Sequence, residues 1–230
     1  RLGVEIRYNL YAEEGDVIGE DPDVVVIATG GLPQSPEMAG DDLTVSSWDI
    51  LSGAVKPAAR VLVYDDNGGH PGMSAAEVIA RGGSDLELVS PERFFAPEMG
   101  GMNHVPYMRA FHETGTRVTI NTRVTGVRRE GNELVVTLSS DFARGWSEER
   151  RVDQVVVEHG TLPLDELYFA LKPRSRNLGA VDYPALIGAG DPFPARGPEG
   201  GFTLYRIGDA VASRNIHAGI YDALRFGLRW

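Results

Sequence analysis

Residues 60–91 read RVLVYDDNGGHPGMSAAEVIARGGSDLELVSP, and this stretch decides the fold. Residues 60–64 are β-branched and apolar, the composition of a strand. Residues 65–72 carry turn chemistry: three glycines, an Asn-Gly pair and a proline. Residues 74–81 predict a helix that Gly82-Gly83 stops, and residues 86–89 restart a strand. Ala75 and Ala76 are small enough to let that helix lie close on a sheet. Strand, glycine turn, helix and strand make a βαβ unit of dinucleotide-binding type. In such a unit the turn amides and a helix N-terminus face a pyrophosphate.

The turn departs from the G-x-G-x-x-G pattern, because Gly68, Gly69 and Gly72 do not supply all three glycines at the required offsets. Asp65 and Asp66 stand where a pyrophosphate would bring its own negative charge, and like charges repel there. The second strand ends at Ser90-Pro91 with Glu92 beyond it, so the acid that would hold a ribose is displaced. Gly68 and Gly72 are the candidate cofactor contacts of this turn. A relic of the geometry is favoured over a working NADH or NADPH site.

Outward from this unit, residues 23–31 (DVVVIATGG) form a continuous buried strand running into a glycine turn, and Leu32-Pro33 ends it. Residues 3–8 (GVEIRY) alternate as a strand, and residues 48–51 predict one or two helical turns. Residues 91–106, rich in Gly, Pro and Met, predict a long loop packed on the surface or in an interface, with a helix over 105–114 stopped by Gly115. Residues 117–120, 123–129 and 134–139 are strands, with Gly131-Asn132 as a hairpin turn, and 147–151 adds a further meander strand. Residues 153–160 (DQVVVEHG) are a second continuous strand. DVVVIATGGLP and DQVVVEHGTLP share an acid, an apolar run, a closing glycine and a Leu-Pro exit, as a duplicated nucleotide domain would produce. A short helix over 165–171, a crossover over 175–201, a strand over 202–207 and a helix over about 215–224 complete the chain.

The 230 residues suffice for one large domain or two small ones, and 42% hydrophobic with 24% charged residues is an ordinary globular composition. The net charge of -11 argues against a nucleic-acid partner, since nothing would neutralise phosphates. No apolar run approaches a membrane-spanning length and no signal peptide is visible, so a cytoplasmic protein without a membrane partner is expected. With no cysteine, the chain cannot itself form a disulfide or ligate an iron–sulfur cluster through thiolates. A start at Arg1 in mid-pattern suggests a piece of a longer protein.

Ala28-Thr29-Gly30 after the first buried strand, the inserted βαβ-plus-meander domain and the late segment LYRIGDAVASRNIHAGIYDALR together resemble the two-dinucleotide-domain flavoprotein reductases. The resemblance is to the C-terminal half of the trimethylamine dehydrogenase, histamine dehydrogenase and 2,4-dienoyl-CoA reductase group of NADH:flavin oxidoreductases. The segments VSPERFFAPEMGGMNHVPYMRAFHETG and VVVEHGTLPLDELYFALKP resemble its N-methylproline demethylase-like members. The resemblance runs from Gly3 to about Arg225. It implies an α/β protein of two Rossmann-like lobes with a βαβ unit and a β-meander. Residues 1–52 and 176–230 would be two parts of an incomplete FAD- or ADP-binding lobe. Residues 53–175 would be an NAD(P)-binding-like lobe with a degenerate turn. It further implies that a (β/α)8 barrel carrying FMN and a four-cysteine iron–sulfur cluster lies upstream, as does the first glycine fingerprint. The barrel would be this chain's main partner, a dinucleotide its ligand, and subunit contacts in a homo-oligomer a further role.

Within Ile207-Gly208-Asp209-Ala210 the resemblance implies that Asp209 accepts a ribityl hydroxyl; the rival reading is a cap on the following helix. Thr29, Gly30 and Gly31 would bring backbone close to the same nucleotide, or form only a strand-end turn. His70, His104, His112, His159 and His217 are too scattered for a metal site and are read as structural, with lining of the nucleotide cleft as the alternative for His217. Met99, Met102, Met108, Phe94, Phe95 and Tyr107 are read as packing a domain interface. No G-x-S-x-G elbow supports hydrolase chemistry. No catalytic residue and no metal ligand is expected in this chain. Its role is that of a cofactor-binding scaffold in an amine-demethylating flavoenzyme. The rivals are an NAD(P)H-binding module feeding FAD and a structural domain whose nucleotide sites have decayed.

Overall fold

A computed structural model describes residues 3–35, 37–188, 190–199 and 201–227. In chain order the strands are β1 (Val24–Ile27), β2 (Gly31–Pro33), β3 (Val45–Ser46), β4 (Arg60–Asp65), β5 (Asp85–Val89), β6 (Arg117–Thr119), β7 (Arg123–Glu130), β8 (Glu133–Ser139), β9 (Ser147–Val152), β10 (Gln154–Glu158), β11 (Thr161–Pro163) and β12 (Thr203–Arg206). The helices are α1 (Glu14–Gly19), α2 (Ser47–Leu51), α3 (His70–Arg81), α4 (Gly101–Thr114), α5 (Glu166–Leu171), α6 (Tyr183–Ile187) and α7 (Ile216–Gly227). The chain divides into two compact units, Arg1–Leu32 with Thr161–Trp230, and Pro33–Gly160.

The second unit is built on a parallel five-stranded sheet in the order β3-β10-β4-β5-β6. Both of its faces are covered, which explains why β4 and β10 read as unbroken apolar runs. On one face α2, α3 and α4 bury Val61, Val63, Met73, Ile79, Leu88, Phe111 and Val156. On the other the antiparallel meander β7-β8-β9 buries Leu62, Tyr64, Val136, Leu138, Val155 and Val157. From β4 the chain moves to β5 and β6 on one side and returns to β10 on the other. The carboxyl ends of β4 and β10 therefore form the switch point where open α/β sheets bind ligands.

Helix α3 starts at His70, not at Ser74, because Pro71 sits in the first turn, where its missing amide costs nothing. Ala75 and Ala76 are fully buried against the sheet, as their size predicts. Helix α4 likewise begins at Gly101, with Pro106 inside it, so part of the expected loop is helical. Part of its approach packs inward. Phe95 and Met99 are buried in the helix-side core with Tyr107 and Met108 packed against them, and Phe95 meets Phe111 edge-on. Phe94 and Met102 stay exposed.

The first unit holds a two-stranded parallel sheet in which Val24–Ile27 pair with Thr203–Arg206. Val25, Ile27, Tyr168, Leu171, Phe202 and Leu204 make its main core, and Phe193, Tyr205 and Phe226 stack as a second cluster. The buried Asn177 clamps the crossover to β12. Its amide nitrogen donates to Ala180 O and Leu204 O, and its oxygen accepts from Leu204 N. Residues 3–8 alternate in sequence but pair with no strand among the described residues, and Val4, Ile6 and Tyr8 are exposed. Changes of lobe were expected near residues 52 and 175. In the structure Val45–Ser46 pair with β10 in the second unit, and Glu166–Leu171 packs with β12 in the first.

Candidate nucleotide-binding site

In the first unit the candidate residues gather at one edge. Register pairing of Ile27 with Arg206 brings Thr29-Gly30-Gly31 and Gly208-Asp209 out at the carboxyl ends of adjacent parallel strands. Gly208 has φ +62 and opens a single 3-10 turn, Gly208–Ala210. A side chain there would adopt a disfavoured left-handed conformation, and its Cβ would come 3.9 Å from the Gly219 Cα on α7. The Gly208 amide donates to Asp222 Oδ2 (3.0 Å), and Arg214 bonds both the Gly208 carbonyl and the Asp222 carboxylate. Arg206 braces the other side, paired with Asp165 at 2.5 Å, donating to Ala210 O and lying over the Tyr168 ring.

Asp209 does not cap α7. Asn215 does so, its Oδ1 accepting from Ala218 N. One Asp209 oxygen accepts the Arg214 amide at 3.1 Å, and the other carries no hydrogen bond among the described residues. Thr29-Gly30-Gly31 is tied to the returning chain: the Thr29 hydroxyl donates to Leu164 O, Leu164 N donates to Gly30 O, and a Cβ on Gly31 would lie 2.7 Å from Leu162 O. Packing therefore already explains Gly31, whereas Asp209 keeps an acceptor in reserve.

In the second unit the turn after β4 is organised by Asp65. Its side chain is 1% exposed, and its Oδ1 accepts from Asn67 N (3.0 Å) and Gly68 N (2.8 Å). Gly72 lies inside α3, not in the turn, and a Cβ there would sit 2.4 Å from Asp65 Oδ2. Gly68 has φ +69, and a Cβ on it would meet Pro97 Cδ at 2.6 Å. Neither glycine is thus left bare for a ligand. Burial, then the neighbouring Glu158 and Asp66 carboxylates, push the Asp65 carboxyl up to about 7, against the opposing pull of the two amides.

Sequence reasoning passed over a second constellation at the same sheet edge. His159 Nδ1 lies 2.7 Å from Asp66 Oδ1, and its ring meets Tyr64 edge-on. These three residues, with Gln34, Glu37 and Arg123, line a cavity of about 260 Å³. Burial pushes the Tyr64 hydroxyl up to about 12, so it stays a neutral hydrogen-bonding group. The echo between residues 23–33 and 153–163 is the one sequence signal that places His159 at a strand end.

The family described as pyridine nucleotide-disulphide oxidoreductase matches residues 10–182. The chain belongs to that family. The chain is 51% identical over 227 residues to the probable N-methylproline demethylase of Rhizobium meliloti, covering 98% of this chain and 33% of that protein. It is 43% identical over 238 residues to the N,N-dimethylglycine/sarcosine dehydrogenase of Chromohalobacter salexigens, covering 98% of this chain and 34% of that protein. The solved histamine dehydrogenase from Rhizobium sp. 4-9 superposes with a TM-score of 0.73 at 23% identity, over 98% of this chain and 33% of that one, which shows a shared fold. This member of the oxidoreductase family thus spans about a third of the length of the curated relatives it matches. No helix among its described residues is long and apolar enough to cross a membrane.

Proposed function

We propose that this chain is the nucleotide-binding module of a flavin-dependent oxidoreductase that demethylates an N-methylated amine. The names and length of the similar demethylase and dehydrogenase support a parent in which this module is one part. The observation that carries the reading is the Gly208-Asp209 turn. It sits at the carboxyl edge of β12, is braced from both sides, and presents one carboxylate oxygen with no partner among the described residues. An anionic acceptor held this way suits a sugar or ribityl hydroxyl of ADP or FAD. Bound there, FAD would supply two-electron redox chemistry and ADP only structure.

The chain's own residues bind and orient; they do not turn over substrate. Gly208 brings backbone close to the ligand, Asp209 accepts its hydroxyl, and Arg206 and Arg214 fix the turn. Amine oxidation belongs in this reading to an FMN-bearing barrel elsewhere in the parent. A cysteine-ligated iron–sulfur cluster belongs there too, since this chain has no cysteine. The test uses the full-length parent. Asp209→Ala should purify with its FMN content unchanged, which reports an intact fold, and with its ADP or FAD largely lost. Full retention of that nucleotide in Asp209→Ala would overturn the reading.

A further inference from the structure

The turn between β4 and α3 has the makings of an anion site. Residues 67–72, Asn-Gly-Gly-His-Pro-Gly, follow G-x-G-x-x-G with asparagine in the first place and glycine in the other two. A twelve-residue helix starts directly behind Gly69, its N-terminal amides directed at the turn. A ligand phosphate would take its hydrogen bonds from these backbone donors. Ahead of that helix two of the turn's own amides are spent: the Asn67 and Gly68 amides both donate to Asp65 Oδ1.

We infer that Asp65 is a built-in occupant of the phosphate-binding turn and is the residue that keeps the second unit from taking a pyridine dinucleotide. Three observations converge on it. Asp65 ends β4, and its carboxylate reaches past Asp66 into the turn to take the Asn67 and Gly68 amides. Asp65 is 1% exposed and its Oδ2 has no hydrogen-bond partner among the described residues, a cost that packing against Gly72 enforces. Glu158 lies beside Asp65 in the sheet register and is buried too, accepting from Asn67 Nδ2, Gly160 N and the Ser47 hydroxyl. Asn67 is thereby stitched to one carboxylate through its backbone and to the other through its side chain. A pyrophosphate entering here would have to displace Asp65 and then face Glu158 and Asp66.

This inference stands apart from the reading of the first unit, and its test leaves Asp209 untouched. The full chain and its Asp65→Ala and Asp65→Asn variants are titrated with inorganic pyrophosphate and with NADH by calorimetry at pH 8. The wild type and Asp65→Asn, which keeps an acceptor on the two amides, should bind neither ligand tighter than millimolar. Asp65→Ala, whose freed amides have no internal partner, should bind pyrophosphate at least about tenfold tighter than the wild type. Micromolar NADH binding by the wild type, or an unchanged affinity in a folded Asp65→Ala, would overturn the inference. Should Asp65→Ala not fold, amide spectra of the wild type decide instead. Asn67 and Gly68 resonances unmoved by pyrophosphate support the inference, and saturable shifts of both overturn it.

Discussion

Replacing Gly72 with alanine would place a methyl carbon 2.4 Å from Asp65 Oδ2 and 2.6 Å from its Cγ. At an exposed helical position Gly→Ala stabilises by about 1 kcal/mol, because alanine loses less backbone entropy. Here the clash must be relieved, and Asp65 has no room to swing: its side chain is buried and two amides hold its other oxygen. Overpacking costs about 1–3 kcal/mol. Weakening the two amide bonds to a carboxylate adds about 1–3 kcal/mol. Against the propensity gain, Gly72→Ala should destabilise by about 1–5 kcal/mol. Urea unfolding of the chain reads this as a lower midpoint at an unchanged slope. A double-mutant cycle isolates the cause, since in an Asp65→Ala background the Gly72→Ala cost should fall to about 1 kcal/mol or less. A neutral or stabilising Gly72→Ala in the wild-type background would refute the packing of that carboxylate against the helix.

The same carboxyl governs pH dependence. A folded value of about 7 against 3.8 means that stability is fully present below the lower value and is lost as pH rises toward 7, by on the order of 4 kcal/mol; Asp65→Asn should remove that slope in urea melts taken from pH 4 to 8. Asn177→Ala leaves the Leu204 amide and carbonyl without their side-chain partner and should cost about 2–4 kcal/mol, with faster hydrogen exchange at the Leu204 amide. Gly208→Ala forces a Cβ onto a φ of +62 beside Gly219, and should cost about 1–2 kcal/mol and lower nucleotide retention by the parent, read from the bound nucleotide after purification.

The central βαβ unit was legible because its signals are local and agree with one another. Residues 60–64 are apolar throughout, Ala75 and Ala76 are small where the helix meets the sheet, and glycines follow Arg81. Helix α3 was read late because Pro71 looks like a breaker, yet helices accept proline in their first turn; the start of α4 was read late because residues 91–106 are rich in glycine and proline and look like loop. Residues 3–8 show the limit of periodicity, since alternation marks a capacity for pairing and supplies no partner. At the site, Asp209 and Gly208 were identified by their flanking sequence, and the structure adds their braces, Arg206, Arg214 and Asp222. Asp65 was read as a charge that repels a ligand. Its partnership with Gly72 and two amides depends on side-chain direction, which sequence spacing does not encode. The Asp66–His159 pair spans 93 residues and joins neighbouring strand ends, so no local pattern announces it.

The account rests on a nucleotide held by the first unit, and the direct measurement is the nucleotide content of the purified full-length parent. Denaturing the protein, separating the released cofactors and quantifying them per chain should yield FMN together with about one equivalent of ADP or FAD. FMN without an adenine nucleotide, or with NAD(P) in its place, would contradict the account.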